Sequence, residues 1–225
     1  MEALQAELAE RAPKTAVCIC VADLSTLDGQ KAVSQWVREN GFKPNVLINN
    51  AGLGDYGSFV SADMARIREQ LEVNIAAVVQ LCHDLTPLMA RPAGILNVGS
   101  FSVELPLPDL AVYAATKAFV TSFSEALAVE LAAEGVAVSC VCPGPTPTSF
   151  GATARRPGGR DTNRAGQEFL KQPPQKVVQA GLYALETGRA RVFPGFSVAL
   201  AALVFRLLPR PLLRWLLRRR YQAGG

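Results

Sequence analysis

Apolar positions along the chain follow two patterns in alternation. Short runs rich in β-branched residues predict strands at Thr15–Val21, Val46–Asn49, Gly94–Gly99, Val136–Cys142 and Arg191–Phe193. Between them, longer stretches with helical spacing predict helices at Asp28–Asn40, Asp63–Ala90, Leu110–Glu134 and Pro174–Glu186. Each strand is short and almost wholly apolar, so both faces should be covered. Asp63 suits an N-cap, and Gly41, Gly135 and Gly188 suit C-terminal stops. The residues before Thr15, M-E-A-L-Q-A-E-L-A-E-R, read as an amphipathic helix fragment and not as a signal peptide. Thr146–Gln172, rich in Pro, Gly, Thr and Arg, reads as a long loop.

Strand–helix alternation implies βαβ units and a parallel sheet, an α/β protein of three layers with Rossmann-like, doubly wound topology. With 225 residues, 49% hydrophobic and 19% charged, the chain has enough apolar mass for one domain with a substantial core, and disorder is excluded. No repeat and no internal domain boundary is visible. The sheet domain is expected over residues 1–195, followed by an apolar and basic helical tail over residues 196–225.

Charge changes the picture only at the C-terminus. The net charge is +4, but Arg206, Arg210, Arg214, Arg218, Arg219 and Arg220 contribute six positive charges, and no acid follows Glu186. The remainder nets 4 − 6 = −2, so basicity gives no reason to expect a nucleic-acid partner. Five cysteines are present. Cys18 and Cys20 alternate in one predicted strand, as do Cys140 and Cys142 in another, and each pair should act as small buried hydrophobes on one face. With a lone His83, read as a surface imidazole, no metal-ligand set emerges. A reducing, cytoplasmic setting is expected.

The chemistry concentrates in I-L-N-V-G-S-F-S-V-E-L-P-L-P-D-L-A-V-Y-A-A-T-K, residues 95–117. Tyr113 and Lys117 stand at i and i+4 and share a helix face. An ammonium beside a phenol favours the phenolate and brings its pKa toward the range a proton shuttle needs. Ser100 ends a strand, where open α/β sheets bind their ligands. Alone, Y-x-x-x-K is weak, but further motifs stand at matching places. N-N-A-G (Asn49–Gly52) and P-G-P-T-P-T (Pro143–Thr148) each end a strand, and Asn74 interrupts an apolar helix in E-V-N-I. Ser102 and Thr116 read as helix-entry or surface residues, and Phe119, Phe123 and Leu127 as packing.

Together these motifs resemble the short-chain dehydrogenase/reductase family, with the serine-to-tyrosine spacing of 113 − 100 = 13 of its most common branch. The resemblance implies hydride transfer between NADP or NAD, with NADP slightly favoured, and a ketone or secondary alcohol. It assigns Ser100 to the substrate oxygen, Tyr113 to the proton, and Lys117 to the phenol and the nicotinamide ribose. Asn74 would bend its helix and hold a relay water. Asp23 would lie near adenine, Asn50, Ala51 and Gly52 along the cofactor, and Pro143, Gly144 and Thr148 at the nicotinamide end. It also implies a homo-oligomer built on the two long helices. The competing class is a catalytically silent, cofactor-deficient dimerisation or binding protein.

The family's opening strand, T-G-x-x-x-G-x-G turn, helix and second strand have no counterpart here. Strand Thr15–Val21 should therefore lack its neighbour and Val46–Asn49 should carry an open edge, unless the two pair directly. An incomplete chain is the expectation, and the sequence leaves NAD against NADP undecided. In the tail, Phe196–Phe205 is apolar but far too short to span a bilayer. Leu212, Leu213, Leu216 and Leu217 form one stripe of a later helix, and Arg210, Arg214 and Arg218 another. Such a helix, with Trp215, suits either a membrane interface or packing beside the cleft. It also points to an apolar or lipid-like substrate.

Overall fold

The computed structural model describes residues 2–156 and 168–223. In chain order the elements begin with helices α1 (Glu2–Arg11) and α2 (Leu27–Glu39), strand β1 (Val46–Asn49) and helix α3 (Met64–Leu71). A π-helical turn, Glu72–Ala76, joins α3 to α4 (Ala77–Leu85), and β2 (Ala93–Val98), α5 (Ala111–Leu131) and β3 (Val136–Val141) follow. The chain continues through the short α6 (Phe150–Thr153), α7 (Pro174–Glu186), β4 (Arg191–Val192), α8 (Phe196–Leu207) and α9 (Arg210–Ala223).

The four strands pair in parallel in the order β1-β2-β3-β4. One row of partners runs Asn49–Asn97–Cys140–Arg191 across the sheet. Because the strands are parallel, Asn50–Gly52, Gly99–Ser100 and Cys142–Gly144 all leave the sheet at the same edge. Helices α5 and α7 both pack on β2 and β3, from opposite sides, which gives the three-layer Rossmann-like architecture. Ile95, Val120, Val138 and Cys140 are buried at the α5 side. On the α7 side, Gly181 lies so close to Leu96 that a Cβ there would sit 3.1 Å from its side chain.

Local chemistry explains the element ends. Thr26 caps α2 by accepting the Gly29 N–H at 3.0 Å, and Asp63 caps α3 by accepting the Ala65 N–H at 2.9 Å. Gly41, Gly135 and Gly188 adopt φ of +66°, +72° and +67° and stop their helices as expected.

Several expectations are corrected. Thr15–Val21 forms no strand: it runs without a ladder, and Cys18 is exposed rather than buried. A strand is completed by its neighbour, and among the described residues none stands beside this segment. Edge strand β1 is also covered incompletely: Val46 and Ile48, at i and i+2 on one face, are about half exposed because among the described residues no helix packs over that face. The span Asp63–Ala90 is not one regular helix but α3, the π-turn, α4 and a 3-10 turn at Thr86–Leu88, where Pro87 removes a donor. The expected loop Thr146–Gln172 contains α6 and a 3-10 turn at Glu168–Leu170, while residues 157–167 lie outside the described residues. Phe123 and Leu127 pack on the core as expected, but Phe119 is exposed.

Helix α2 shows how close backbone approach can override propensity. A Cβ on Gly29 would fall 2.6 Å from the Asp23 carbonyl carbon, in the turn folded over the helix start. Alanine is ordinarily better than glycine in a helix by about 1 kcal/mol. Gly29→Ala should nonetheless lower stability by about 1–3 kcal/mol in urea unfolding, because the overlap is with backbone and cannot be relieved by a rotamer change. A stabilised variant would mean that the Asp23 turn does not rest on α2.

Candidate active site

Ser100 leaves the end of β2 in an extended conformation, and its Oγ accepts the Ser102 N–H at 3.1 Å, starting a 3-10 turn at Phe101–Glu104. The Phe101 N–H donates to the Pro143 carbonyl at 2.8 Å, so the loops after β2 and β3 are joined beside the serine. Gly99 has no room for a side chain. A Cβ there would stand 2.7 and 2.9 Å from the sulfurs of Cys140 and Cys142, which are wholly buried beneath it.

Tyr113 sits in the first turn of α5 and Lys117 one turn later. Tyr113 as a whole is half-buried, its ring lies 5.4 Å from that of Phe150 on α6, and the Ser100 hydroxyl is near enough to the phenol to act on its pKa. Lys117 is 4% exposed, and its Nζ donates to the Val98 carbonyl at 2.7 Å. Gly52, at the end of the β1 loop, faces both this amine and Asn74. A Cβ on Gly52 would be 3.5 Å from Lys117 Nζ and 3.5 Å from Asn74 Oδ1.

Asn74 lies in the π-turn and is fully buried. Its Oδ1 accepts the Leu53 N–H at 2.7 Å, and its Nδ2 donates to the Leu53 carbonyl at 2.9 Å and to the Thr116 hydroxyl at 3.0 Å. The π-turn widens the helix at this residue. Thr116 is corrected: it is fully buried, not a surface residue, and its hydroxyl also donates to the Tyr113 carbonyl at 2.8 Å. A second buried chain, Asn49 to Asn97 at 2.8 Å and Asn97 to Ser124 at 2.8 Å, ties β1, β2 and α5 together below the site. A polar residue inside an apolar strand, as in I-L-N-V, was the available signal for Asn97. Nothing in the spacing marked Thr116 or Phe150.

The electrostatics differ from the sequence expectation. Burial pushes the Tyr113 phenol up to about 12, against a smaller lowering by the Ser100 hydrogen bond. Burial likewise pushes the Lys117 amine down to about 8. The lowering of the phenol by Lys117 is therefore not seen, because the amine turns to the Val98 carbonyl and desolvation disfavours both charged forms.

The remaining candidates separate. Asn50 and Ala51 are exposed at the end of β1, and Pro143 and Gly144 are half-buried after β3. Gly144 allows close approach of the chain, since a Cβ would fall 2.7 Å from the Leu170 carbonyl oxygen and 3.0 Å from Val198. Thr148 is exposed. Asp23 is exposed too, and its carboxylate accepts the backbone N–H and hydroxyl of Ser25 at 2.9 and 2.7 Å. Among the described residues no hydrogen bond joins Asp23 or Thr148 to the Ser100–Tyr113–Lys117 cluster.

A parallel sheet with Ser100, Tyr113 and Lys117 gathered at its carboxyl edge belongs to the Rossmann-like α/β class. The short chain dehydrogenase family profile matches residues 1–157, and the chain belongs to that family. It is 30% identical over 187 residues to the uncharacterized oxidoreductase YvrD of Bacillus subtilis, covering 80% of this chain and 71% of that protein. It resembles a short-chain dehydrogenase from Sphingobium yanoikuyae solved in complex with NADPH (TM-score 0.76, 28% identity, 90% of this chain and 77% of that one). It also resembles the bulky-bulky ketone specific alcohol dehydrogenase of Comamonas testosteroni (TM-score 0.72, 26% identity, 100% and 78%). The chain spans 23 to 62% of the length of the first curated relatives it matches.

The buried amine gives a pH signature. Lys117 has a folded pKa near 8 against 10.5 for the free group, so between these values the unfolded chain holds one more proton than the folded chain. Stability should then rise with pH across that window, by up to about 1.4 kcal/mol per unit, and the penalty is complete below pH 8. The difference in urea unfolding free energy, wild type minus Lys117→Met, should grow by this slope between pH 8 and 10. A difference flat with pH would show an amine that keeps its proton when buried.

Proposed function

We propose that this chain carries the proton-transfer half of an NAD(P)-dependent oxidoreductase that interconverts a ketone and a secondary alcohol, with a bulky, apolar compound as substrate. The observation that carries the reading is the convergence of Ser100, at the end of β2, with Tyr113 and Lys117 on one face of α5. The Ser100 hydroxyl holds the carbonyl oxygen of the substrate, and the neutral Tyr113 hydroxyl delivers a proton to it. A phenol held high by burial is a proton donor throughout the neutral range. Phe101, Phe150 and Leu105 supply apolar surface near these groups, which supports an apolar substrate, as does the likeness to a bulky-ketone dehydrogenase.

The residues present fit the nicotinamide-ribose end of a dinucleotide. Lys117 Nζ has three donors, of which one goes to Val98, and Gly52 leaves the amine and Asn74 facing the loop surface. Asn50, Ala51, Gly52, Pro143 and Gly144 would border that end, with Thr148 and Asp23 further out. The 225 residues contain no G-x-x-x-G-x-G, so no segment of this chain matches the family's phosphate cradle. When bound, the nicotinamide supplies or accepts the hydride. NADP is favoured slightly, on the likeness to an NADPH-bound structure. The free cysteines suit a reducing compartment such as the cytoplasm. Peripheral membrane contact through residues 196–225 belongs to the same reading.

Tyr113→Phe should cut ketone reduction by about 10²–10⁴-fold while nicotinamide binding changes little, since the hydroxyl acts on the proton. Stopped-flow NADPH oxidation with a panel of bulky ketones, beside nucleotide titration, measures both. Near-normal turnover in the variant removes Tyr113 from the mechanism.

A second copy of the chain is the proposed partner for the outer face of α5, where Ala115, Ala118, Phe119 and Val129 are exposed. Phe119→Glu with Val129→Glu should weaken self-association at least about tenfold in light scattering after size exclusion, because both charges would enter an apolar contact. An unchanged mass profile across dilution would place the interface elsewhere.

A further inference from the structure

Apart from Ser197 and Arg206, helix α8 is apolar throughout, more than a helix packed on a water-soluble protein requires. One side is used: Val198 and Ala202 are buried against Phe101 and Leu170, and the Phe205 ring lies 6.0 Å from that of Phe101. The other side is open. Phe196 is 82% exposed and Leu207 74%, with Leu200 and Leu203 between them on the same stripe at i, i+4, i+7 and i+11. Helix α9 continues the surface with exposed Leu212, Trp215 and Leu216, while Leu213 is its buried anchor. The leucine stripe expected from the sequence thus divides, half toward the protein and half outward.

Charge selects the partner for this open face. Arg206, Arg214, Arg218 and Arg219 are exposed, the Arg219 guanidinium lies 4.0 Å over the Trp215 ring, and the chain holds no acid after Glu186. Cations beside exposed leucine, phenylalanine and tryptophan match the boundary between anionic headgroups and acyl chains. The two helices are bent by 113° at the break between them, and among the described residues no single helix is long and apolar enough to cross a membrane. A bend this sharp breaks a straight span, and the outward leucines and arginines suit the pair to a bilayer surface.

The same helices are fastened to the catalytic loop. Arg210 donates to the Glu104 carbonyl at 3.2 Å, and the Tyr221 hydroxyl bonds the Asp109 carboxylate at 3.0 Å. Asp109, in a left-handed conformation with φ of 63°, stands just before Leu110 and the start of α5. Both ends of α9 thus grip the segment Phe101–Leu110, which runs from Ser100 to the helix bearing Tyr113. Resting on the membrane contact proposed above, we propose that α8 and α9 seat the rim of the Ser100–Tyr113 cleft, segment 101–110, on an anionic lipid surface. The bilayer is then the surface that the cleft faces, and α9 is the strap that sets this orientation.

The test uses the full chain with vesicles of phosphatidylcholine, with and without phosphatidylglycerol. Flotation should show at least tenfold tighter binding to the anionic vesicles at low salt. In a Trp36→Phe background, lipids brominated in the acyl chain should quench Trp215. Hydrogen exchange should slow on docking in segment 101–110 as well as in α8 and α9. Arg214→Glu with Arg218→Glu should weaken vesicle binding at least tenfold, and Leu203→Asp with Leu207→Asp should remove the part that survives high salt. All four side chains changed are exposed, so the fold should persist, as circular dichroism would verify. Absence of binding to anionic vesicles at low salt overturns the membrane contact and this proposal together. Binding with Trp215 quenched but with exchange in 101–110 unchanged keeps the contact and overturns the seating of the cleft. If the chain ignores vesicles while the leucine variants dissociate a dimer, a second copy is the occupant and the proposal fails.

Discussion

Leu53 leaves the sheet after β1 with a backbone N–H and carbonyl that no strand can satisfy, because the chain has already turned into the site. Asn74 satisfies both with one side-chain amide, at 2.7 and 2.9 Å, in the manner of a neighbouring strand. The amide can reach Leu53 because the helix opens into a π-turn at Glu72–Ala76. Its remaining donor goes to Thr116, whose hydroxyl bonds the Tyr113 carbonyl. One buried residue therefore ties the loop after β1, the π-turn between α3 and α4, and α5. The Leu53 carbonyl has a second donor in Gln70 Nε2 at 3.0 Å, but its N–H depends on Asn74 alone, and leaving that donor without a partner would cost about 1–3 kcal/mol.

Much of the fold was legible from patterning. The strands centred on Ile48, Ile95 and Val138 and the helix Pro174–Glu186 lie where apolar periodicity places them. The failures share a cause. Thr15–Val21 has strand-like composition, but a strand is a statement about a partner, and periodicity within one segment carries no information about what lies beside it. The same argument explains β1, whose apolar residues predicted two covered faces although the face of Val46 and Ile48 is left half exposed. The π-turn was foreshadowed by a single asparagine among apolar residues. Its geometry depends on Leu53, which lies more than a strand away in sequence.

The site was legible in its residue types and not in its electrostatics. Ser100, Tyr113, Lys117 and Asn74 come together as the motif spacing implies. Spacing on a helix brings side chains to one face but does not say what else competes for them. Val98 offers a carbonyl 2.7 Å from the Lys117 amine, and that local acceptor decides where the amine points. Thr116 illustrates the converse: adjacent to Lys117 and unremarkable in sequence, it is buried where Asn74 arrives from another element.

Burial moves the phenol and the amine in opposite directions, and the two shifts have one meaning. Each group is pressed toward its neutral form, the phenol to about 12 and the amine to about 8. A neutral phenol gives up a proton easily only when the resulting phenolate finds a positive charge close by. At 4 Å such a charge is worth about 4 kcal/mol at an effective dielectric of 20, enough to offset a shift of two to three units. Below pH 8 Lys117 carries that charge without having spent it on another side chain, since its partner is a carbonyl dipole. The amine is thus held in reserve one helical turn from the phenol. In the proposed reaction its charge would become useful when the phenol begins to lose its proton, which is when electrostatic stabilisation accelerates a reaction rather than merely tightening binding.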